Sequence, residues 1–312
     1  MDGAAAAKFS DPRWTAKGER RATVALSRPE TLWFNTGTLC NITCANCYIE
    51  SSPTNDSLVY LTADEISDYL AQLGARGWGV REIGFTGGEP FMNPQMVEMT
   101  RRALDAGYEV LVLTNAMRPM MRPKVRAGIE ALVRAHGDRL CFRVSLDHHS
   151  RPVHDAERGA GSFERTLEGM DWLASIGARL AVAGRVEMAE SESAARRGYA
   201  ALFAQRGYRI DAADPGACVL FPEMDAAADV PEITTACWGI LGKTPESVMC
   251  ASSRMVVKRR GADTPAVVAC TLLPYDPEFE MGATLAEAER DVALNHPHCA
   301  KFCVLGGASC SA

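Results

Sequence analysis

The apolar and polar positions of this chain switch between two periods, and each switch marks an element. "TLWFNTG" (31–37) is a short apolar run ended by glycine and reads as a strand. "LTADEISDYLAQLGARG" (61–77) follows with Ile66, Tyr69, Leu70 and Leu73 at helical spacing, and Thr62 with Glu65 forms a capping-box pattern at its start. "REIGFTG" (81–87) is the next strand, and "NPQMVEMTRRALDAG" (93–107) a helix with Pro94 near its start and Gly107 at its stop. The rhythm runs on through "YEVLVLTN", "RPKVRAGIEALVRAHG", "LCFRVSLD", "SFERTLEGMDWLASIG", "ARLAVAGRV", "ESAARRGYAALFAQRG" and a short strand "YRIDA" (208–212). About six strand–helix units imply parallel strands under covering helices. They are too few for a closed eight-unit barrel. The expectation is an α/β fold, either a partial (β/α)6 barrel or a doubly wound sheet. In both, chemistry sits at the C-terminal ends of the strands.

After about residue 216 the rhythm fails. "DPGACVLFPEMDAAADVPEITTACW" is rich in Pro and Asp. "RMVVKRRG" and "TPAVVACTLL" then read as a hairpin about a glycine turn, and "TLAEAERDVALN" (284–295) as a short helix. Three segments are expected: an N-terminal extension (1–30), the strand–helix body (31–215) and a smaller module with its own cysteines (216–312).

A formal net charge of −6 supplies no basic field for nucleic acid. No apolar run reaches membrane-spanning length, and "MDGAAAAKFSDPRW" lacks the pattern of a secretory signal. A cytoplasmic protein is expected. Eleven cysteines in a reducing compartment call for metal or redox chemistry rather than disulfides. Cys141 and Cys218 read as small buried hydrophobes, and Cys237 is left open between that and a ligand.

Cys40, Cys44 and Cys47, spaced C-x₃-C-x₂-C in "LCNITCANCYIESSP", directly follow the first strand. Thiolates suit zinc and iron–sulfur clusters. Structural zinc wants a second pair of ligands, and no histidine precedes His136. Three close cysteines fit a [4Fe–4S] cluster with one iron left open, and an open position is how a metal site takes substrate.

This spacing, followed by an aromatic residue, here Tyr48, resembles the signature of the radical S-adenosylmethionine (SAM) enzymes. The resemblance implies that the open iron chelates SAM, and that an electron from the cluster cleaves the sulfonium. The 5′-deoxyadenosyl radical released then takes a hydrogen atom from substrate. A reducing partner such as flavodoxin or ferredoxin is implied with it. "TGGEP" resembles the family's GGE motif: Gly87 and Gly88 permit close backbone approach to a ligand, and Glu89 would meet the methionine amino group. Thr114 and Asn115 in "VLTNA" look like the family's polar residues near SAM. "RVSLDHHSRPVHDAERGAGSFE" resembles the fourth strand and the loop after it. Ser145 matches a position contacting SAM ribose or carboxylate, and Asp147 would face the same mouth, where it could meet substrate or act as a general base. His154, Asp155, Arg158 and Gly159 would order the loop. Arg185, ending the fifth strand, could pair with the SAM carboxylate.

Cys250 and Cys270 flank the hairpin, and Cys299, Cys303 and Cys310 crowd the chain end. This is similar to the twitch and SPASM extensions of radical SAM enzymes, which carry auxiliary [4Fe–4S] clusters. One auxiliary cluster fits better than two, with Cys250, Cys270, Cys299 and Cys303 as ligands and Cys310 as substitute or substrate-facing. His296 and His298 are weaker ligand candidates, and a zinc site is the alternative. About 30 residues precede the first strand, so no leader-peptide or cobalamin-binding domain is expected. The implied reaction is oxidation of a small molecule or peptide side chain, with the auxiliary cluster receiving the electron. Rearrangement or C–C/C–S bond formation on a peptide is the alternative within the family. A non-catalytic iron–sulfur or zinc sensor is the alternative outside it.

Overall fold

The computed structural model describes residues 7–186, 190–222 and 229–306. Six parallel strands run in chain order: β1 (Thr31–Asn35), β2 (Glu82–Thr86), β3 (Glu109–Thr114), β4 (Leu140–Ser145), β5 (Arg179–Arg185) and β6 (Cys218–Phe221). The helices between them are α1 (Ala63–Arg76), α2 (Met96–Asp105), α3 (Pro123–His136), α4 (Arg151–Arg158), α5 (Ser162–Ser175) and α6 (Glu192–Arg206). Spatial order follows chain order without reversal, so right-handed crossovers stack the helices on one face. This run of six parallel strands, open rather than closed, matches the partial barrel.

The C-terminal segment extends the same sheet. β7 (Ser253–Val257) lies parallel to β1, and β8 (Ala266–Val268) and β9 (Glu280–Gly282) continue antiparallel beyond it. The result is nine strands in one open sheet. β1 is therefore central, and all five of its residues are buried, as expected for a strand covered on both faces.

Local chemistry explains the helix ends. The Thr62 hydroxyl accepts from Glu65 N–H, and the Glu65 carboxylate accepts from Thr62 N–H, which completes the capping box of α1. Ile66, Tyr69, Leu70 and Leu73 are its buried stripe. Burying each aliphatic side chain there is worth about 1.5–3 kcal/mol. Asp155 of α4 caps α5 from outside, its carboxylate accepting from the N–H groups of Gly161 and Phe163 and from the Ser162 hydroxyl.

Three expectations need correction. Residues 208–212 form no strand; the sixth strand is "CVLF" at 218–221. Asp211 and Asp214 accept from the N–H groups two residues on, 2.8 Å each, and these turns break the extended backbone. The loop after β4 contains a helix, α4. "TLAEAERDVALN" makes one 3₁₀ turn at Glu287–Glu289 and then a strand pair, Val292–Ala293 with Thr23–Val24, because pairing with the N-terminal segment outcompetes helix propagation.

Candidate active site

The loop after β1 carries Cys40, Cys44 and Cys47 over the C-terminal end of the sheet, and four attachments hold it there. Gly88 N–H donates to the Gly37 carbonyl at 2.9 Å and Glu89 N–H to that of Leu39 at 3.1 Å. Asn115, just past β3, donates its Nδ2 to Asn41 at 2.9 Å. Ala45 N–H bonds the Glu157 carbonyl of α4, whose carboxylate also accepts from Asn46. Arg185, ending β5, donates Nη2 to the Asn46 carbonyl at 2.6 Å.

These anchors explain Gly87 and Gly88 differently from the sequence. A Cβ at Gly87, whose φ is +141°, would meet the Gly37 carbonyl oxygen at 2.6 Å, and one at Gly88 the Leu39 carbonyl oxygen at 2.4 Å. The glycines let β2 approach the backbone of the cysteine loop itself.

The three thiols line a cavity of ≈ 140 Å³ together with Tyr48, Gly87, Gly88, Thr114, Asn115, Ser145, Asp147 and Arg185. Cys40 is buried, and burial pushes its thiol up to about 12, while Cys44 is raised for the same reason. A metal must therefore displace protons to bind. Among the described residues no fourth cysteine faces this cavity, so the donor set fits a cluster with one iron left to an outside ligand.

Glu89 lies behind the wall. It is 1% exposed and accepts from Thr114 Oγ1 (2.9 Å), Asn115 N–H (2.8 Å) and Phe91 N–H (3.1 Å). Burial raises its carboxyl to about 7 against those hydrogen bonds.

Asp147 is clamped. Arg158 donates Nε and Nη2 to its two oxygens at 2.8 and 3.0 Å, and Arg185 Nε lies 3.7 Å away. Burial alone would raise this carboxyl, but the Arg158 charge and hydrogen bonds, then Arg185, hold it below the usual range. That makes it a weak proton acceptor. Arg158 and Arg143, which sequence reasoning left out of the site, also line the cavity. The run "HDAERG" showed a loop; only the α4 geometry turns Arg158 inward. His154 is fully buried with its ring edge against Phe163, and burial lowers it to about 4.

A second, smaller cavity gathers Cys250, Cys270, Cys299 and Cys303, all buried, with His298 at the wall. His296 is not among its lining residues. Cys310 lies outside the described residues. Cys141 and Cys218 sit on β4 and β6 away from both cavities, and Cys237 accepts from Thr234 N–H outside them. Leu272 borders both cavities, and Phe302 in the wall of the first precedes Cys303 in the second.

The sequence pattern of the radical SAM superfamily matches residues 34–186, from β1 through β5. Residues 34–186 are a radical SAM superfamily domain. It is 33% identical over 135 residues to an AdoMet-dependent heme synthase of Methanosarcina barkeri, covering 43% of this chain and 36% of that one. It is 33% identical over 150 residues to the subtilosin biosynthesis protein AlbA of Bacillus subtilis, covering 46% and 30%. The chain thus spans about a third of the length of these curated relatives. Among solved structures, SuiB of Streptococcus suis bound to S-adenosylmethionine superposes with a TM-score of 0.60 at 10% identity, over 82% of this chain and 64% of that one. AnSMEcpe with bound AdoMet gives 0.57 at 13%, over 83% and 77%. At such identities the structural likeness shows the fold alone. Such a domain implies a [4Fe–4S] cluster and SAM, and no helix among the described residues is long and apolar enough to cross a membrane.

Proposed function

We propose that this radical SAM protein is an oxidoreductase or maturase acting on a peptide side chain or small molecule, with a second cluster at the C-terminal cysteines. The observation that carries the reading is the pair of adjoining cavities. One holds three cysteines and space, the other four buried cysteines, and Leu272 separates them. Bound at Cys40, Cys44 and Cys47, the cluster with SAM would supply reductive sulfonium cleavage and a 5′-deoxyadenosyl radical that takes hydrogen from substrate.

The chain's own residues do the rest. Thr114 and Asn115 fix the Glu89 carboxylate behind the Gly87–Gly88 edge, where it presents negative charge toward an ammonium group. Ser145 and Arg185, on adjacent strands, offer a hydroxyl and a guanidinium to the ribose and carboxylate of SAM. Tyr48, at the mouth, offers a ring face. Asp147 holds Arg158 beside Cys44, so its role is positioning rather than proton removal. Cys250, Cys270, Cys299 and Cys303 fit four-thiolate ligation of an auxiliary cluster, consistent with a twitch-like role for residues 216–312 beside the 31–215 body and the 1–30 extension. A flavodoxin or ferredoxin would supply the electron, and the oxygen-sensitive cluster suits a cytoplasmic setting. Peptides gain weight from fold neighbours whose structures contain them, SuiB with precursor peptide SuiA and anSMEcpe with Cp18Cys peptide.

The test is anaerobic reconstitution. Wild type should carry about eight irons per chain, two clusters of four, and reduced protein should make 5′-deoxyadenosine from SAM, while Cys40→Ala should not. Equal behaviour of the two would mark a non-catalytic metal protein. Deuterium transfer into 5′-deoxyadenosine from labelled candidates identifies the substrate.

A further inference from the structure

We infer that Arg254 is the buried countercharge of the C-terminal cysteine site and biases its occupant toward the reduced state. This rests on the reading of Cys250, Cys270, Cys299 and Cys303 as [4Fe–4S] ligands. Arg254 lies on β7 and is 1% exposed. Its guanidinium makes four hydrogen bonds, to the carbonyls of Cys250 (2.6 Å), Ala288 (2.8 Å), Ser253 (2.8 Å) and Arg290 (3.3 Å). All are neutral acceptors. Arg21, equally buried, is different: it meets the Glu232 carboxylate at 2.6 Å.

A buried charge without a counterion is costly. Cys250 and Cys270, which line the second cavity, flank the β7–β8 hairpin on which Arg254 sits. Arg254 also holds the Cys250 carbonyl directly, which ties the cation to a ligand's own backbone. Arg254 therefore places a buried positive charge one hydrogen bond from the backbone of a cysteine that lines the cavity.

Four thiolates on a [4Fe–4S] core make a doubly negative unit, and one added electron makes it triply negative. A fixed cation beside it stabilises the second state more than the first, because cluster potentials follow local charge and hydrogen bonding. The one-electron couple concerned is [4Fe–4S]²⁺ to [4Fe–4S]⁺.

The experiment uses the full chain with Cys40, Cys44 and Cys47 replaced by Ala, so that only the C-terminal site titrates. Arg254→Met and Arg254→Lys are compared by iron and sulfide content and by dithionite titration followed by electron paramagnetic resonance. Arg254→Met should disfavour reduction by at least about tenfold, which is 59 mV for a one-electron couple, while Arg254→Lys stays near the parent. Loss of iron in Met with retention in Lys also supports a charge role. An unchanged potential in Met with the cluster retained, or equal iron loss in both variants, overturns it. A parent without iron sinks the auxiliary-cluster reading itself, and the inference with it.

Discussion

A methyl group at position 88 has nowhere to go. An ideal Cβ there sits 2.4 Å from the Leu39 carbonyl oxygen and 2.6 Å from that of Thr38. Real Cβ contacts essentially never fall under 3.0 Å, so in Gly88→Ala one backbone must retreat by at least 3.0 − 2.4 = 0.6 Å. The retreat stretches the two bonds that fasten the cysteine loop, from Gly88 N–H to Gly37 and from Glu89 N–H to Leu39. Losing most of two such bonds costs about 1 kcal/mol each, and overpacking adds about 1–3 kcal/mol. The expected loss is about 3–5 kcal/mol in urea unfolding of the metal-free protein. Cys40 follows Leu39, so the same shift moves its sulfur away from those of Cys44 and Cys47. Reconstituted Gly88→Ala should therefore drop from about eight irons to about four. A variant within about 0.5 kcal/mol of wild type, with the full iron complement, would refute the argument.

The two buried carboxyls of the site should pull stability in opposite directions with pH. Glu89, raised to about 7 in the fold, binds its proton more tightly than the unfolded chain does, so metal-free protein should lose up to about 3 kcal/mol between pH 4.5 and 7; Glu89→Gln should flatten that slope in denaturant titrations. Asp147, held low, contributes stability that is present above the unfolded carboxylate range and lost on acidification. Asp147→Asn should cost about 3–5 kcal/mol by stranding Arg158, and adding Arg158→Met should recover part of it in a double-mutant cycle; strictly additive losses would mean the pair is not coupled. Thr62→Ala should cost about 1 kcal/mol without changing iron content, which separates helix capping from site assembly.

Much of this was legible because period and punctuation agreed. The capping box of α1, five of the six ordered strands and the C-x₃-C-x₂-C loop follow from local sequence. What was not legible depended on long-range partners. β6 hides in a Pro- and Asp-rich stretch and forms only because β5 offers an edge at Val182–Arg185. "TLAEAERDVALN" has helix-forming residues, yet Val292 and Ala293 pair with a segment near the other end of the chain. Arg158 looked like a loop organiser, because nothing in its neighbourhood reveals that Asp147 turns the same way. Arg254 is one of several charges in "SSRMVVKRRG", and only the packed structure shows that it is sealed from water.

The seating of β7 against β1 has a consequence for biosynthesis. β1 emerges early, but its outer flank has no partner until residues 253–257 leave the ribosome. Through most of translation the strand leading into the cysteine loop keeps one flank unpaired beside Leu32, Trp33 and Phe34, the kind of template on which chains aggregate. A fragment ending near residue 215 would keep that edge permanently. Recombinant truncations made to isolate the SAM-binding half should therefore fail through insolubility before any question of iron arises, and a chaperone has its strongest reason to hold this chain in the interval between β1 and β7.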